Sequence, residues 1–136
     1  MKRYILDANV LVRFFMQHPP AMGRAATKLF EAAAKGDTEL RLDPLIVAEV
    51  VFVLTKVYGQ PRSAVADALL DLLENPGITL EASDCVRNAL KRFKSFSVDF
   101  ADAWVAAIAS EHQAPIASFD RDLDKFKDVT RLEPPD

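Results

Sequence analysis

Short, β-prone apolar runs alternate with longer helical segments from one end of the chain to the other. No other feature of the sequence constrains the fold as tightly. The runs fall at 3–6, 40–42, 78–80 and 115–118, and residues 129–132 finish the chain before a short proline-rich tail expected to fray. Segments with apolar residues at helical spacing lie between them, at 8–17, 22–35, 44–58, 61–75, 83–93 and 99–113, with a polar loop at 94–98. The punctuation agrees: Pro19 and Pro20, Gly36, Asp43 before Pro44, Gly59, and Asn75 with Pro76 and Gly77 stand where one element must stop or the next begin. Strands that take turns with helices form parallel sheets covered by those helices. The expected fold is therefore α/β and three-layered, with a central parallel twisted sheet of four to five short strands and helices on both faces. At 136 residues, with no internal repeat and no linker-like stretch, one domain over 1–136 is expected. In open sheets of this kind ligands bind beyond the carboxyl ends of the strands, so that edge is where chemistry is sought.

Composition removes several classes. Hydrophobic residues make up 50%, enough apolar surface to offset chain entropy, so disorder is excluded as the main state. The 4 glycines are too scattered to build a dinucleotide or P-loop phosphate cradle. Cys85 is the only cysteine, which excludes an internal disulfide and makes a cysteine zinc site untenable. His18 and His112 have no metal-ligand spacing. Asp7 and Asn9 interrupt the apolar start, so it reads as structure and not as a secretion signal, and no run is long enough to span a bilayer. A cytoplasmic location is expected. The formal net charge of −3 argues against a module that wraps nucleic acid through its overall field, but leaves room for an enzyme that reaches nucleic acid through a metal.

The acidic residues carry the functional signal. Asp7 directly follows the first strand, where a helix N-cap is the ordinary role. Glu49 is the only charge between Asp43 and Lys56, on a segment that is apolar nearly all round. The expectation is a largely buried carboxylate, compensated by an arginine such as Arg13, by protonation or by a metal. Asp99 and Asp102 share the face of one helix near its start, Asp99 suiting a cap and Asp102 standing beside small alanines. Asp120 follows the fourth strand, while Asp122 and Asp124 read as solvated turn residues. Asp7, Glu49, Asp102 and Asp120 thus come from four elements that such a fold would draw to one crevice. Carboxylates in one cleft repel unless a cation is present, and oxygen-only donors select Mg²⁺ or Mn²⁺. Phosphodiester hydrolysis is the chemistry such a site suits.

These residues also carry a resemblance. YILDANVLVR at 4–13 resembles the opening of PIN-domain proteins, and VAEVV at 47–51 resembles their second acidic motif. DFADA at 99–103, with Ala106 and Ala107, resembles the third, and SFDRDL at 118–123 the fourth. Order and spacing are similar over nearly the whole chain, and the look is nearest to VapC-type toxins of toxin–antitoxin pairs. The resemblance implies a Mg²⁺- or Mn²⁺-dependent ribonuclease, usually a homodimer, acting on an RNA substrate and held inactive by a cognate antitoxin. It implies Asp7, Glu49, Asp102 and Asp120 as catalytic metal ligands, and leaves Asp99 either as an added ligand or as a cap. Asn9 matches a position that supports the first carboxylate, and Ser118 stands where the family often has threonine, keeping the hydroxyl. Trp104 departs from a smaller aliphatic residue common there.

Among the basic residues, Arg87, Lys91 and Lys94 share a helical face beside Arg92, suited to solvent or to tracking phosphates. Arg13 and Arg121 stand near strand ends, where they can hold the site or the RNA backbone. Phe14, Phe15 and Met16 offer core packing or a partner surface. Two other readings stay open: a catalytically silent PIN-like scaffold that binds RNA or protein, and a receiver-like domain that uses an aspartate chemically. For the second, Lys125 and Lys127 are not convincingly placed.

Overall fold

The computed structural model describes residues 1–135, so the last residue of the expected frayed tail lies outside the described residues. The chain divides into two compact units, the first spanning Met1–Ala82 and the second starting at Ser83.

The first unit is built on a parallel sheet. Strands β1 (Lys2–Ile5), β2 (Thr38–Leu42) and β3 (Ile78–Leu80) lie in that order, with β2 in the centre. The central strand is the most buried: Leu40 and Leu42 are nearly inaccessible, whereas every residue of β1 is exposed. Helices α1 (Ala8–Met16), α2 (Pro20–Ala34), α3 (Pro44–Phe52) and α4 (Arg62–Leu72) supply the rest of the core. Helix α1 packs on α2 and α3, and α2 packs on β2. Their inward residues include Leu11, Phe30, Ala33, Val47, Val50, Val51, Val65 and Leu69. The expected helix over 44–58 is a regular α-helix only to Phe52. Its last part, Val53–Val57, is a π-helical turn, and Thr55 donates its hydroxyl to the Val51 carbonyl at 2.7 Å within it.

Gly77 shows why β3 starts where it does. A Cβ at this position would lie 2.2 Å from the Ala33 carbonyl oxygen, so only glycine lets the chain pass against α2. Asn75 holds the approach, donating to the Phe30 carbonyl and accepting from the Gly77 amide, both at 2.9 Å.

The second unit contains α5 (Ser83–Ser95), α6 (Phe100–His112), β4 (Ile116–Ala117), a 3-10 turn at Arg121–Lys125 and β5 (Arg131–Leu132). Helices α5 and α6 pack on each other through Val86, Ala89, Leu90, Phe93, Ala103 and Ala107. Helix α5 runs two residues into the stretch expected as loop, and Phe93 near its end meets Phe100 edge-on at a centroid distance of 6.0 Å. Strands β4 and β5 are parallel, pairing Ile116 with Arg131 and Ala117 with Leu132.

Five strands form, where four to five were expected in one sheet, and every pairing among the described residues is parallel. The hydrogen bonding groups them as one sheet of three and one of two. The last two strands have only two residues each, because the backbone leaves the ladder at Ser118 to enter an Asx turn.

Candidate metal centre

Apart from Glu49, in the middle of α3, the expected acids sit where an element begins. Asp7 caps α1, accepting from the Ala8 amide at 2.9 Å. It is exposed, and follows Leu6, whose amide bonds to the Arg41 carbonyl at the carboxyl edge of the sheet. Asp43 occupies the same place beyond β2 and caps α3 through the Leu45 amide at 2.9 Å.

Glu49 differs from expectation. It is exposed and not buried, because within its unit α3 turns only Val47, Val50 and Val51 inward. Leu45 and Phe52 are left 75% and 60% exposed. The all-round apolar pattern was therefore a poor guide to burial, and the need for a compensating partner at Glu49 falls away. Arg13 does not serve as that partner: it donates to the His18 carbonyl at 3.3 Å and to the Tyr58 hydroxyl at 3.4 Å.

In the second unit the acids converge. Asp102, Asp120 and Asp122 each place a ligand-type oxygen within 4.8 Å of the other two. Asp102 comes from the first turn of α6, with its amide bonded to the Asp99 carbonyl at 3.1 Å. Asp120 and Asp122 come from the turn after β4. There the Ser118 hydroxyl accepts from the Asp120 amide, and the Asp120 carboxylate accepts from the Asp122 amide, both at 2.9 Å. The Ser118 hydroxyl thus holds the backbone at Asp120. Asp99 occupies the N-cap position of α6 but makes no capping hydrogen bond. Burial pushes the Asp102 carboxyl above its ordinary value, and the negative charges of Asp120, Asp99 and Asp122 push it further.

Asp122 is exposed in its turn, as expected, and also stands in the cluster, its amide bonded to the Asp120 carboxylate in an Asx turn. Lys125 lies 3.5 Å from its carboxylate and also donates to the Ser97 carbonyl at 2.9 Å. The signal in the sequence was two aspartates two residues apart directly after a strand, which gives proximity but no direction.

The expected substrate contacts are dispersed. Arg87 bonds to the Ser83 hydroxyl at 3.3 Å, Lys91 and Lys94 lie exposed on α5, and Arg121 is exposed between Asp120 and Asp122. Arg92 is structural: it pairs with both oxygens of Asp128, bonds Asn88 and lies 5.2 Å from the Phe126 ring centroid. Asn9 is exposed on α1 and lines a groove with Val10, Arg13, Met22 and Leu29. Phe14 packs edge-on with both Phe15 and Phe30 in a groove bordered by Glu31 and Asp71. Cys85 is buried against the Glu111 carboxylate, and burial pushes its thiol up to about 11.

The donor set of the cluster is oxygen-only and crowded. Such a set could hold a hard divalent cation.

The PIN domain family matches residues 4–129, nearly the whole chain, and the chain belongs to that family. PIN domains are typically metal-dependent nucleases. No curated protein matches the chain. Among the described residues, no helix is long and apolar enough to cross a membrane.

Proposed function

We propose that the chain is a Mg²⁺- or Mn²⁺-dependent endoribonuclease, acting as one nuclease domain over 1–136 and serving as the toxin of a VapBC-type pair. The observation that carries this reading is the convergence of Asp102, Asp120 and Asp122 in a chain of the PIN family. These three residues would hold the cation. A divalent ion bound there would offset the charge of a scissile phosphate and ease deprotonation of the attacking water.

The chain's own groups do the rest. Burial and the neighbouring acids raise the Asp102 carboxyl, and a cation would offset that crowding. Ser118 fixes the backbone at Asp120, which in turn fixes Asp122. We assign Asp7 and Glu49 to the same reaction as further acids, with Asp99 as an added ligand whose side chain is not spent on capping. Asn9 supports Asp7 from the first turn of the helix that Asp7 caps. Arg121, exposed beside the acids, is the leading phosphate contact, with Arg13, Arg87, Lys91 and Lys94 in lesser roles.

The proposed partners are an RNA substrate, a second copy of the chain and a cognate antitoxin, and the proposed location is cytoplasmic. The groove floored by Phe14, Phe15 and Phe30 and edged by Glu31 and Asp71 suits a partner segment with apolar and basic residues.

The test is incubation of the purified chain with RNA in Mn²⁺ and in excess chelator. The expected result is cleavage only with the metal, leaving 5′-phosphate and 3′-hydroxyl ends. Cleavage that persists in chelator contradicts the reading.

A further inference from the structure

We propose that Arg131 is the positioning residue of the metal centre, a clamp that closes both ends of the loop carrying Asp120 and Asp122. Arg131 lies beyond residue 129, where the family match ends. Its side chain is only 11% exposed. Its Nε and one terminal nitrogen donate to the two oxygens of Asp124, at 2.9 Å and 3.1 Å. The other terminal nitrogen donates to the Ser118 carbonyl at 3.0 Å and to Glu133 at 3.2 Å.

Ser118 is where the loop leaves β4, and Asp124 lies in the 3-10 turn that ends it. One planar guanidinium therefore ties the entrance of the loop to its exit, with Asp120 and Asp122 between them. The backbone of Arg131 is itself fixed, since β5 pairs it with Ile116. A rigid fork of this kind loses little freedom for each bond it makes, and a bond from a charged donor is stronger than a neutral one.

The loop needs such a restraint. Asp120 and Asp122 face Asp102 across less than 4.8 Å, so without a cation their charges push the loop open. Bonds to Ser118 and Asp124 oppose that opening without touching a ligand oxygen. Arg131 thus acts through the loop and not on the substrate, as outer partners of metal ligands commonly do.

The inference rests on the metal centre proposed above, and its test separates the two. Mn²⁺ is titrated by calorimetry into the full chain, into Arg131→Gln and Arg131→Lys, and into Arg92→Met. Arg92 is an equally buried guanidinium at 11% exposure, also paired with a carboxylate, but it has no bond to the 118–124 loop. The expected result is that both Arg131 variants bind Mn²⁺ about tenfold or more weakly, while Arg92→Met stays within about twofold of the parent. Lysine keeps the charge but reaches only one end of the loop, so it does not rescue. Arg131→Lys also stands in if Arg131→Gln fails to fold. Parent-like affinity in either folded Arg131 variant, or an equal loss in Arg92→Met, overturns the clamp and leaves the metal centre standing. A parent chain that binds no Mn²⁺ overturns the metal centre and the clamp with it.

Discussion

Asp102 concentrates the cost of the site. Its carboxyl is partly buried and faces other acids, so the metal-free protein would be better off without its charge. Asp102→Asn is therefore expected to raise the metal-free melting temperature, and to abolish the rise that Mn²⁺ gives the parent. A thermal melt with and without Mn²⁺ reads both effects. Cys85 gives an independent check on the second unit. With its thiol held up to about 11 by burial and by Glu111, it stays protonated at neutral pH. Alkylation of the native protein by iodoacetamide at pH 7.5 should be far slower than after unfolding, and equal rates would contradict the buried placement. Residue by residue, legibility depended on whether local spacing carried direction. Asp102 and Asp120 could be read because a helix start and a strand end each fix where a side chain stands. Asp122 could not, since only the Asx turn at Asp120 reveals which way it folds. Glu49 was misread because hydrophobicity around a helix does not say which of its faces finds a neighbour.

Among the elements, short strands and helix starts were legible because proline, glycine and aspartate mark them directly. The π-helical end of α3 and the division of strands into two hydrogen-bonded groups were not, since both depend on packing between residues distant in the chain. The pairing of Arg92 with Asp128 was equally hidden: four basic residues on one stretch looked like a solvated face, yet one of them is the staple that ties α5 to the chain before β5. The hydrogen bonds from Arg92 hold the Asp128 carboxyl below its ordinary value. A lowered folded value means that this stabilisation is fully present above the unfolded value of 3.8 and is lost as pH falls below that through the lower folded value. Arg92→Met should therefore destabilise the protein by about 1–3 kcal/mol at neutral pH, and the gap to the parent should shrink in melts below about pH 4. Gly77→Ala tests the contact between β3 and α2. The added Cβ meets the Ala33 carbonyl, and a loss of about 1–3 kcal/mol or more is expected in urea unfolding. A neutral effect would contradict the close approach.

Over the whole molecule, the acidic balance and the proposed substrate look opposed, and the proposed cation would reconcile them. The net charge of −3 gives no broad field for RNA, so affinity should rest on the cation and on a few basic side chains. Arg121→Ala is expected to raise KM several-fold with a smaller change in kcat, as measured on a short RNA at fixed Mn²⁺. The family and the α/β class were legible early because four short motifs kept their order along the chain, and order survives even where each motif alone is weak. Arg131 was not, because a lone arginine near the end of a chain carries no spacing signal, and its meaning comes only from the loop it closes. The central claim is that the three aspartates of the second unit form the metal centre of a nuclease. It is tested most directly by the Mn²⁺-dependent rate of RNA cleavage for the parent chain beside Asp102→Asn and Asp122→Asn. The account predicts a fall of about a hundredfold or more in both variants, each still folded by circular dichroism. Cleavage at the parent rate in either one would contradict it.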